Sequence, residues 1–468
     1  TFKSATNAAL AWSSTTGNGV TVAVLDSGVR FDHPDLATKL YAGYNMITFA
    51  SVSQVNGGRS ADASDLGDWV SSTDVTNINN ELGFSTGCTT EVASSWHGTR
   101  VAGIIGAQAN NNIGMASMAP DAMVLPVRVL GKCGGWDSDI LAGMRWAAGL
   151  SVQGLPVNGH PAKVLNMSLG AEDSCPQPYK EVLAELSPLN VVVVASAGNK
   201  NWLDVTSPAN CPGVIAVAGL RHIGTKVGFS SVGAEVSISA PGGNCVNKDG
   251  GPCLYPILTT TNSGFQSPVA DTSGGSIYTD SVNHPSYGTS FSAPQVSGAV
   301  AMMLEARPAL TALAVRSLLK ASARSFPTPG SSSDVASCHL TNGDAQDECY
   351  CTTLTCGAGM LDANQAVQFA LTHAAAVITR VPDAPQPRQP TLFSGTQSMA
   401  SPGASSIASY HWDLIDGGGI VSSSGWSADS SSILVTPTGD GIFQIRLTVV
   451  DDQGQSASSE EWVIVGHP

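Results

Sequence analysis

The sequence predicts an α/β fold, with a parallel sheet covered by helices on both faces, followed by a small all-β domain. From Val20 onward, short apolar runs rich in β-branched residues alternate with longer helical patterns. This alternation is typical of βαβ units, whose strands run parallel. Beyond residue 390 the helical periodicity disappears, and polar residues alternate with apolar ones as they do in half-buried strands.

The α/β part can be followed element by element. Consecutive strands of a parallel sheet are joined by right-handed helical crossovers, so their carboxyl ends meet at one edge of the sheet. This edge is where α/β proteins place their ligands. We expect strands over 20–25, 124–129, 162–167 and 191–195, and helices over 101–107, 139–149, 179–187 and 293–306.

Composition changes after Ala376 and divides the chain into three segments. We expect a first domain over 1–376 and a Pro-rich linker over 377–390, extended and semi-rigid because of its proline content. Residues 391–468 then form a small β-sandwich. Its strands are expected over 409–413, 432–435, 443–450 and 460–465.

Composition and charge exclude several classes of protein. The chain has 468 residues, of which 42% are hydrophobic and only 12% charged, as in a compact globular protein. Its net charge of −15 argues against a nucleic-acid-binding protein, which usually presents a basic face. No apolar run approaches the ~18 residues of a membrane helix. Because the chain begins with Thr1, we expect a mature protein whose signal peptide and pro-segment have been removed.

Ser290 precedes an apolar run of small residues, 293–306, and would occupy the N-terminus of the predicted helix. Unpaired N–H groups and the helix dipole favour negative charge there, which suits a serine that becomes a nucleophile. The alternative is an ordinary N-capping serine.

Asp26 and His97 supply the two groups that such a serine needs. Asp26 ends the first predicted strand, and His97 opens the first predicted helix. A hydroxyl is a weak nucleophile without an adjacent base, and an imidazole base needs a carboxylate to fix its tautomer.

The segments Asp26-Ser-Gly, His97-Gly-Thr and Gly-Thr-Ser290 resemble the three active-site signatures of the subtilisin-like serine proteases, in the chain order of that family. The resemblance covers residues 5–372, and it implies a catalytic triad with Asn199 as the oxyanion donor. The chain departs from the family pattern at Phe291-Ser292, at Arg100 and in two long insertions. None of these departures removes a catalytic group.

The resemblance implies a secreted endopeptidase that acts on proteins through an acyl-enzyme with broad specificity. It also implies that the pro-segment aids folding and inhibits the enzyme before its removal, and we expect a monomer. The resemblance places substrate against Gly134, Gly135, Trp136, Ser168, Leu169, Gly170, Ala197 and Gly198. For Trp136, the alternative is a residue that only packs at the protein surface.

The resemblance also implies structural calcium. Asp35 matches a calcium-site aspartate of the family, and the loop after the His97 helix supplies further oxygen ligands. The loop could instead be an Asn-rich turn. A second candidate comes from the residues themselves, because three carboxylates spaced three residues apart between Asp26 and His97 repel one another unless they are solvated or bridged by a cation. Its alternative is a solvated acidic loop. The candidate ligands are Asp35, Gln108, Asn110, Asn112, Ile113 and Met115 at the first site, and Asp62, Asp65 and Asp68 at a second site.

Ten cysteines, an even number, indicate disulfides outside the reducing cytosol. We expect Cys245–Cys253 to close a local loop, Cys175 to pair with Cys211 near the substrate cleft, and Cys88 to pair with Cys133. A zinc site is the alternative for the late cluster, although paired C-x-x-C spacing is missing. That cluster consists of Cys338, Cys349, Cys351 and Cys356.

The C-terminal segment resembles polycystic-kidney-disease-type (PKD) domains at Tyr410-x-Trp412-Asp413 and at 447–454. Such a domain could target the enzyme to substrate or to a surface, or it could only stabilise the protein. Two alternative hypotheses for the whole chain are a subtilase-like scaffold that binds without cleaving peptide bonds and an esterase of an unrelated type. The complete triad disfavours the scaffold, and the missing Gly-x-Ser-x-Gly elbow disfavours the esterase.

Overall fold

The computed structural model describes residues 2–91, 93–244, 253–330, 334–422 and 427–466, and it confirms the predicted fold class. The first part of the chain forms a seven-stranded parallel sheet in the order β2-β3-β1-β4-β5-β6-β7. The strands are β1 Thr21–Asp26, β2 Tyr44–Asn45, β3 Met123–Arg128, β4 Val164–Met167, β5 Val192–Ser196, β6 Ile215–Leu220 and β7 Val236–Pro241.

Strand β1 contains an uninterrupted run of apolar residues because both of its faces are buried. Val22 and Val24 enter the core on one face of the sheet, and Ala23 and Leu25 enter the core on the other face. A strand covered on both faces needs apolar residues at every position. Strand β1 lies between β3 and β4, and Asp26 ends it opposite Arg128.

Helices cover both faces of this sheet. Helices α4, α7, α8 and α9 pack on one face, and α5 and α6 on the other. The helix α7 is the most deeply buried, because 15 of its 18 residues are inaccessible and most of them are small. The helices are α1 Ala8–Ala11, α2 Ala50–Ser53, α3 Ser72–Leu82, α4 His97–Gly106, α5 Asp137–Ala147, α6 Gln177–Leu186, α7 Thr289–Ala306, α8 Ala312–Ala321 and α9 Ala363–Thr372, with 3₁₀ turns at Ser187–Leu189 and Asp271–Ser273.

The C-terminal part is a sandwich of two antiparallel sheets, with strand orders β10-β11-β14 and β13-β12-β15-β16. Phe393 from one sheet and Trp412 and Phe443 from the other share its core. A hairpin of β8 and β9 lies earlier in the chain. The strands are β8 Thr260–Asn262, β9 Ser276–Tyr278, β10 Thr379–Val381, β11 Thr391–Ser394, β12 Ile407–Asp416, β13 Ser427–Ala428, β14 Ser432–Val435, β15 Gly441–Asp451 and β16 Ser456–Val465.

The segment predicted as a linker, residues 377–390, is partly built into the sandwich. Its β10 pairs with β11, and Ala376 just before it is buried in the sandwich core. The Pro-rich composition indicated an extended chain, and an extended chain can also form an edge strand. The sandwich therefore begins close to the end of the α/β part, without a free spacer.

A cluster of charged side chains joins the sandwich to the α/β part. Glu461 of β16 lies 2.9 Å from the guanidinium of Arg316 and 3.2 Å from the ammonium of Lys320, both on α8. Burial favours the protonated form of Glu461, but Arg316, Lys320 and Arg380 outweigh it and lower the pKa of Glu461 to about 2. The carboxylate is therefore ionised, only 15% exposed and held by cations of the other domain.

The disulfides of the described residues test the predicted cysteine pairs. The pairs Cys88–Cys133 and Cys175–Cys211 are confirmed. Of the predicted pair Cys245–Cys253, Cys245 lies outside the described residues. The late cluster forms Cys338–Cys349 and Cys351–Cys356, so its sulfurs are not free thiolates and the zinc alternative is wrong.

In the described part of the chain, none of the helices combines the length and the apolar character that crossing a membrane requires.

The contact between Glu461 and α8 predicts a pH-dependent contribution to stability. Glu461→Gln leaves two cations without their carboxylate and should lower the free energy of unfolding by about 2 kcal/mol at pH 7. Because the pKa of Glu461 is lower in the folded chain than in the unfolded one, this stabilisation is present at neutral pH and is lost as the pH falls from about 4 towards 2. Thermal unfolding midpoints of both proteins across this range measure it.

Glu460→Gln is the matched control. The Glu460 carboxylate pairs with Arg446 of its own domain and is 39% exposed, so its loss should change stability by less than about 1 kcal/mol. Equal midpoints for wild type and Glu461→Gln at pH 7 would contradict the assignment.

Candidate active site

Asp26 ends β1 at the carboxyl edge of the sheet, and its side chain is fully buried. The chain must turn sharply after it. Gly28 has a φ of +96°, and a Cβ there would lie 2.6 Å from the carbonyl oxygen of Ala63. Only glycine therefore allows the insertion to pack against the turn that follows Asp26.

His97 is the first residue of α4, and the helix begins directly against the Asp26 turn. A Cβ on Gly98 would lie 2.2 Å from the carbonyl oxygen of Gly28, so the Gly that follows His97 permits this approach. The imidazole Nδ1 lies 2.8 and 2.9 Å from the two carboxylate oxygens of Asp26. This contact holds the proton on Nδ1 and leaves Nε2 as the basic nitrogen.

The electrostatic surroundings of His97 favour its protonated form. Burial alone would lower its pKa, but the charge and hydrogen bond of Asp26, together with the charge of Asp68, outweigh burial and raise the pKa above its ordinary value. The surrounding charges therefore stabilise the imidazolium, which is the form that a general base reaches when it takes a proton.

Ser290 is the second residue of α7. Pro294, four residues later, has no N–H to bond the Ser290 carbonyl, and the hydroxyl of Ser168 donates to that carbonyl instead at 2.7 Å. The hydroxyl of Ser290 donates in turn to the carbonyl of Ser168 at 3.2 Å. The ring of His97 lies beside this turn, with its centroid 5.4 Å from that of Phe291.

Asn199 follows β5, and Thr289 orients its side chain. The amide oxygen of Asn199 accepts hydrogen bonds from the backbone N–H and the hydroxyl of Thr289, each at 2.9 Å. Since the oxygen takes both donors, the NH₂ group is the part of this amide that remains for an anionic ligand. Thr289 immediately precedes Ser290, so the orientation of the amide is tied to the turn that carries Ser290.

A cleft of about 870 Å³ contains His97 and most of the predicted substrate-binding residues. Trp136 lies outside the lining of this cleft, and its ring packs edge-on against Phe49 at 5.5 Å, as the surface-packing alternative requires. Ala197 and Gly198 directly follow β5 and are not part of the lining. The predicted residues that the cleft brings together are Gly134, Gly135, Ser168, Leu169 and Gly170.

One wall of the cleft was not predicted. Residues 86–89 and Glu91 of the long insertion line it, and the disulfide Cys88–Cys133 ties them to the segment that precedes Gly134. The sequence did contain a signal, because the predicted Cys88–Cys133 bond joins the insertion to a predicted substrate edge. The charged side chains of the lining other than His97 are all acidic: Asp68, Glu91, Asp137 and Asp173.

Comparison with known proteins decides the family. The family model described as the subtilase family matches residues 17–349, which is more than half of the chain. The chain belongs to the subtilase family. A second model, a K319L-like PKD domain, matches residues 383–465.

Two similar subtilase relatives are named as extracellular enzymes. An extracellular protease of Xanthomonas campestris is 39% identical over 347 residues, which cover 73% of this chain and 54% of that protein. An extracellular basic protease of Dichelobacter nodosus is 37% identical over 292 residues, which cover 62% of this chain and 44% of that protein. The chain thus spans about half the length of these curated relatives.

A solved protease structure from Pseudoalteromonas arctica is also similar, with a TM-score of 0.65 and 38% sequence identity. The match covers 78% of this chain and 94% of that one. It agrees with the family assignment and with the architecture of the parallel sheet.

Hydrogen-bond donors surround Asp35, the first calcium candidate of this subtilase. One of its buried carboxylate oxygens accepts from the Asn111 amide at 2.6 Å, and the other accepts from the Met115 N–H and the Tyr278 hydroxyl, each at 3.1 Å. The side-chain oxygen of Gln108 accepts from Thr38. Calcium requires six to eight oxygen ligands, whereas donors face these acceptors, so the residues as arranged do not fit the ion.

The other calcium candidates in the Asn-rich loop, Asn110, Asn112 and Ile113, form a turn. Asn110 and Asn112 each have a φ of +60°, which asparagine tolerates better than most residues. The backbone N–H of Ile113 donates to the side chain of Asn111. These contacts are those of the alternative reading, an Asn-rich turn.

The structure gives Asp62, Asp65 and Asp68 three separate roles. Asp62 is exposed and caps the N–H of Ser64, while Asp68 accepts from the backbone and hydroxyl of Ser95. Asp65 is buried, and burial with the nearby charge of Asp68 raises its pKa to about 7. Among the described residues, the one cluster with three possible ligand atoms within 4.8 Å consists of disulfide cysteines, so these carboxylates do not form a common site.

The orientation of Asn199 predicts a selective effect on turnover. If Asn199 has its predicted role as oxyanion donor, Asn199→Ala removes that donor and leaves the cleft intact, so kcat should fall by about 10²–10³, the span measured in subtilisin itself, with little change in KM. Initial rates on a soluble peptide substrate measure both constants.

Asn201→Ala is the control for this prediction. Its amide lies two residues further along the chain and bonds the exposed Asp347 outside the cleft, so kcat should stay near that of the wild type. A loss of less than about tenfold for Asn199→Ala would remove Asn199 from the oxyanion site.

Proposed function

We propose that this chain is the catalytic part of a secreted serine endopeptidase that hydrolyses peptide bonds in proteins. The observation that carries the proposal is the buried contact between Asp26 and His97, at 2.8 Å, in a cleft that also contains the segment bonded to Ser290. The subtilase family and the relatives named extracellular proteases support both the activity and secretion.

Substrate binds in this proposal as an added strand. The backbone of Ser168, Leu169 and Gly170 forms one edge, and that of Gly134 and Gly135 forms the other, so the peptide is recognised mainly by its main chain. Main-chain recognition favours broad specificity. The acidic lining of the cleft adds repulsion against substrates with acidic side chains beside the scissile bond.

The reaction begins when the hydroxyl of Ser290 leaves the carbonyl of Ser168 and turns towards Nε2 of His97. As Ser290 Oγ bonds to the substrate carbonyl carbon, Nε2 takes the hydroxyl proton, and Asp26 stabilises the imidazolium. The carbonyl oxygen becomes an oxyanion, which accepts hydrogen bonds from the Asn199 amide and the Ser290 N–H.

The tetrahedral intermediate collapses when His97 gives its proton to the leaving amine, and the C–N bond breaks. A water molecule then attacks the acyl-enzyme while His97 again acts as base, and release of the acid restores the Ser290 hydroxyl. Each proton taken by His97 is returned, so the triad ends each cycle unchanged.

The charged cluster around Glu461 favours a stabilising role for the C-terminal domain. A domain that only targets the enzyme to substrate needs no more than a flexible connection to the catalytic part. Here β16 contacts α8 through ionised, mostly buried side chains, so the two parts are held together. We expect Glu461→Gln to lower residual activity after heating equally on soluble and insoluble casein. A loss confined to insoluble casein would favour the targeting role instead.

We also propose that a pro-segment aids folding and inhibits the enzyme before its removal. The mature enzyme in this proposal is a monomer. Subtilases generally bind structural calcium, but we do not propose an ion at Asp35. The donors around Asp35 favour a calcium-free arrangement at that position.

Chelation tests the calcium prediction directly. With three protein donors on Asp35, EGTA should shift the thermal midpoint by less than about 2 °C. Tyr278→Phe should lower stability by about 1–3 kcal/mol, because it removes a donor from a buried carboxylate. A large loss of stability in EGTA that calcium reverses would show that an ion, and not Tyr278, balances Asp35.

The proposed activity is tested with casein and a fluorophosphonate. Wild type should hydrolyse casein and carry the covalent label on Ser290, and Ser290→Ala should lose both. Ser292→Ala is the matched control, because its hydroxyl lies in the same helix but donates to the carbonyl of Pro241. A folded wild type that neither cuts nor labels would favour the scaffold that binds without cutting.

A further inference from the structure

Asp65 lies directly behind the catalytic pair and takes no part in the mechanism above. It belongs to the long insertion between Asp26 and His97, and the insertion pairs with the turn that follows Asp26. The N–H of Val29 donates to the carbonyl of Ala63, and the N–H of Asp65 donates to the carbonyl of Val29, both at 3.1 Å. Asp65 is only 1% exposed, so its carboxylate depends on protein donors.

The carboxylate of Asp65 contacts both elements that carry the catalytic pair. One oxygen accepts the hydroxyl of Ser27 at 3.1 Å and the hydroxyl of Thr99 at 3.3 Å. Ser27 follows Asp26 in the chain, and Thr99 lies in the first turn of the His97 helix. The other oxygen accepts the N–H of Gly67 at 3.1 Å.

The direction of these hydrogen bonds is fixed by the backbone. The hydroxyl oxygen of Ser27 accepts the N–H of Gly98 at 2.9 Å, and that of Thr99 accepts the N–H of Arg30 at 3.1 Å. Each hydroxyl therefore has its proton available for Asp65. Because each of these N–H groups comes from the opposite segment, the network ties the Asp26 turn to the His97 helix twice.

We propose that Asp65 is a positioning residue, whose carboxylate holds the Asp26 turn and the first turn of the His97 helix at the separation that the catalytic hydrogen bond requires. This inference rests on the proposed triad. All three donors point at Asp65, and its ionised form, which predominates above the pKa of about 7, satisfies them by accepting on both oxygens.

The buried Arg128 also supports the Asp26 turn, but it cannot accept the hydrogen bonds that Asp65 accepts. Its guanidinium donates to the carbonyls of Ser27 at 3.1 Å and Ser53 at 2.7 Å. It thus supports the backbone of the Asp26 turn, and its positive charge compensates the carboxylate. The hydroxyl protons of Ser27 and Thr99 still require the acceptor that Asp65 provides.

Asp65→Asn tests the proposal with almost no change in volume. An amide must aim its NH₂ group either at the two hydroxyl protons or at the N–H of Gly67, so one donor contact becomes repulsive. At a pH well above 7, where Asp65 is ionised, we expect kcat on a soluble peptide to fall by about tenfold to a hundredfold, the cost of small displacements of catalytic groups, with KM within about twofold of wild type.

Asp451→Asn is the matched control for a purely structural effect. Asp451 is a buried carboxylate of the C-terminal domain that accepts the hydroxyl of Ser401 at 2.5 Å and the N–H of Gln453 at 3.0 Å. The same substitution there should lower the thermal midpoint and leave kcat at 25 °C unchanged. Folded Asp65→Asn with kcat within threefold of wild type would overturn the proposal, as would an equal loss of kcat in Asp451→Asn.

Thr99 provides a second test if Asp65→Asn does not fold. Thr99→Ser keeps the hydroxyl and should retain kcat within about threefold, whereas Thr99→Val should lower it. If both residues act through one contact, Asp65→Asn combined with Thr99→Val should cost little more than Asp65→Asn alone. Equal rates for Thr99→Val and Thr99→Ser would contradict the proposal.

These outcomes remain distinct from a failure of the triad. If Ser290→Ala keeps its activity and the label lies elsewhere, the proposed function fails whatever the Asp65 variants show. If Ser290→Ala is inactive and Asp65→Asn matches wild type, the triad stands and only the positioning role fails.

Discussion

The buried contact between Asp26 and His97 is the constraint on which the rest of the site depends. A carboxylate without solvent is costly unless it is hydrogen-bonded and paired. The only way to pair Asp26 with the first residue of α4 is to bring two backbone segments almost into contact. Gly28 and Gly98 are glycines for that reason, and the hydroxyls of Ser27 and Thr99 lie where the same segments would otherwise leave backbone N–H groups unpaired.

The parallel sheet explains how residues far apart in the chain reach this pair. The strands β1, β4 and β5 are neighbours, and Asp26, Ser168 and Asn199 lie at or just beyond their carboxyl ends. The helices α4 and α7 pack on one face of the same strands and bring His97 and Ser290 to that edge. The small residues of α7 are thus a requirement of the site as well as of the core, because a bulkier helix would stand further from the sheet.

The parts that the sequence predicted are those with local chemistry. Strands β1 and β5 and the start of α7 follow from residue patterns that are read within a short window. The predicted disulfide Cys88–Cys133, between residues 45 apart, is an exception. The contacts that the sequence did not show join distant segments. Nothing near Asp35 indicates that Tyr278, 243 residues away, donates to it, and a spacing of three residues did not show that Asp62, Asp65 and Asp68 point in different directions. Tertiary packing decides such contacts, and a single sequence records only one side of each.

The proposed mechanism requires the Ser290 hydroxyl to give up its hydrogen bond to the Ser168 carbonyl, and the free-energy cost of this rotation can be estimated. Turning the Ser290 hydroxyl to Nε2 gives up one neutral hydrogen bond, at 3.2 Å, with a net value of about 0.5–1.5 kcal/mol. The new bond to the imidazole recovers much of this. A barrier of 15 kcal/mol or so for chemistry at ordinary turnover is far larger, so this rotation is not the slow step. The second bond, from Ser168 to the Ser290 carbonyl that Pro294 leaves free, does not have to break. It can keep the backbone N–H of Ser290 in place while the hydroxyl moves, which is what an oxyanion donor requires.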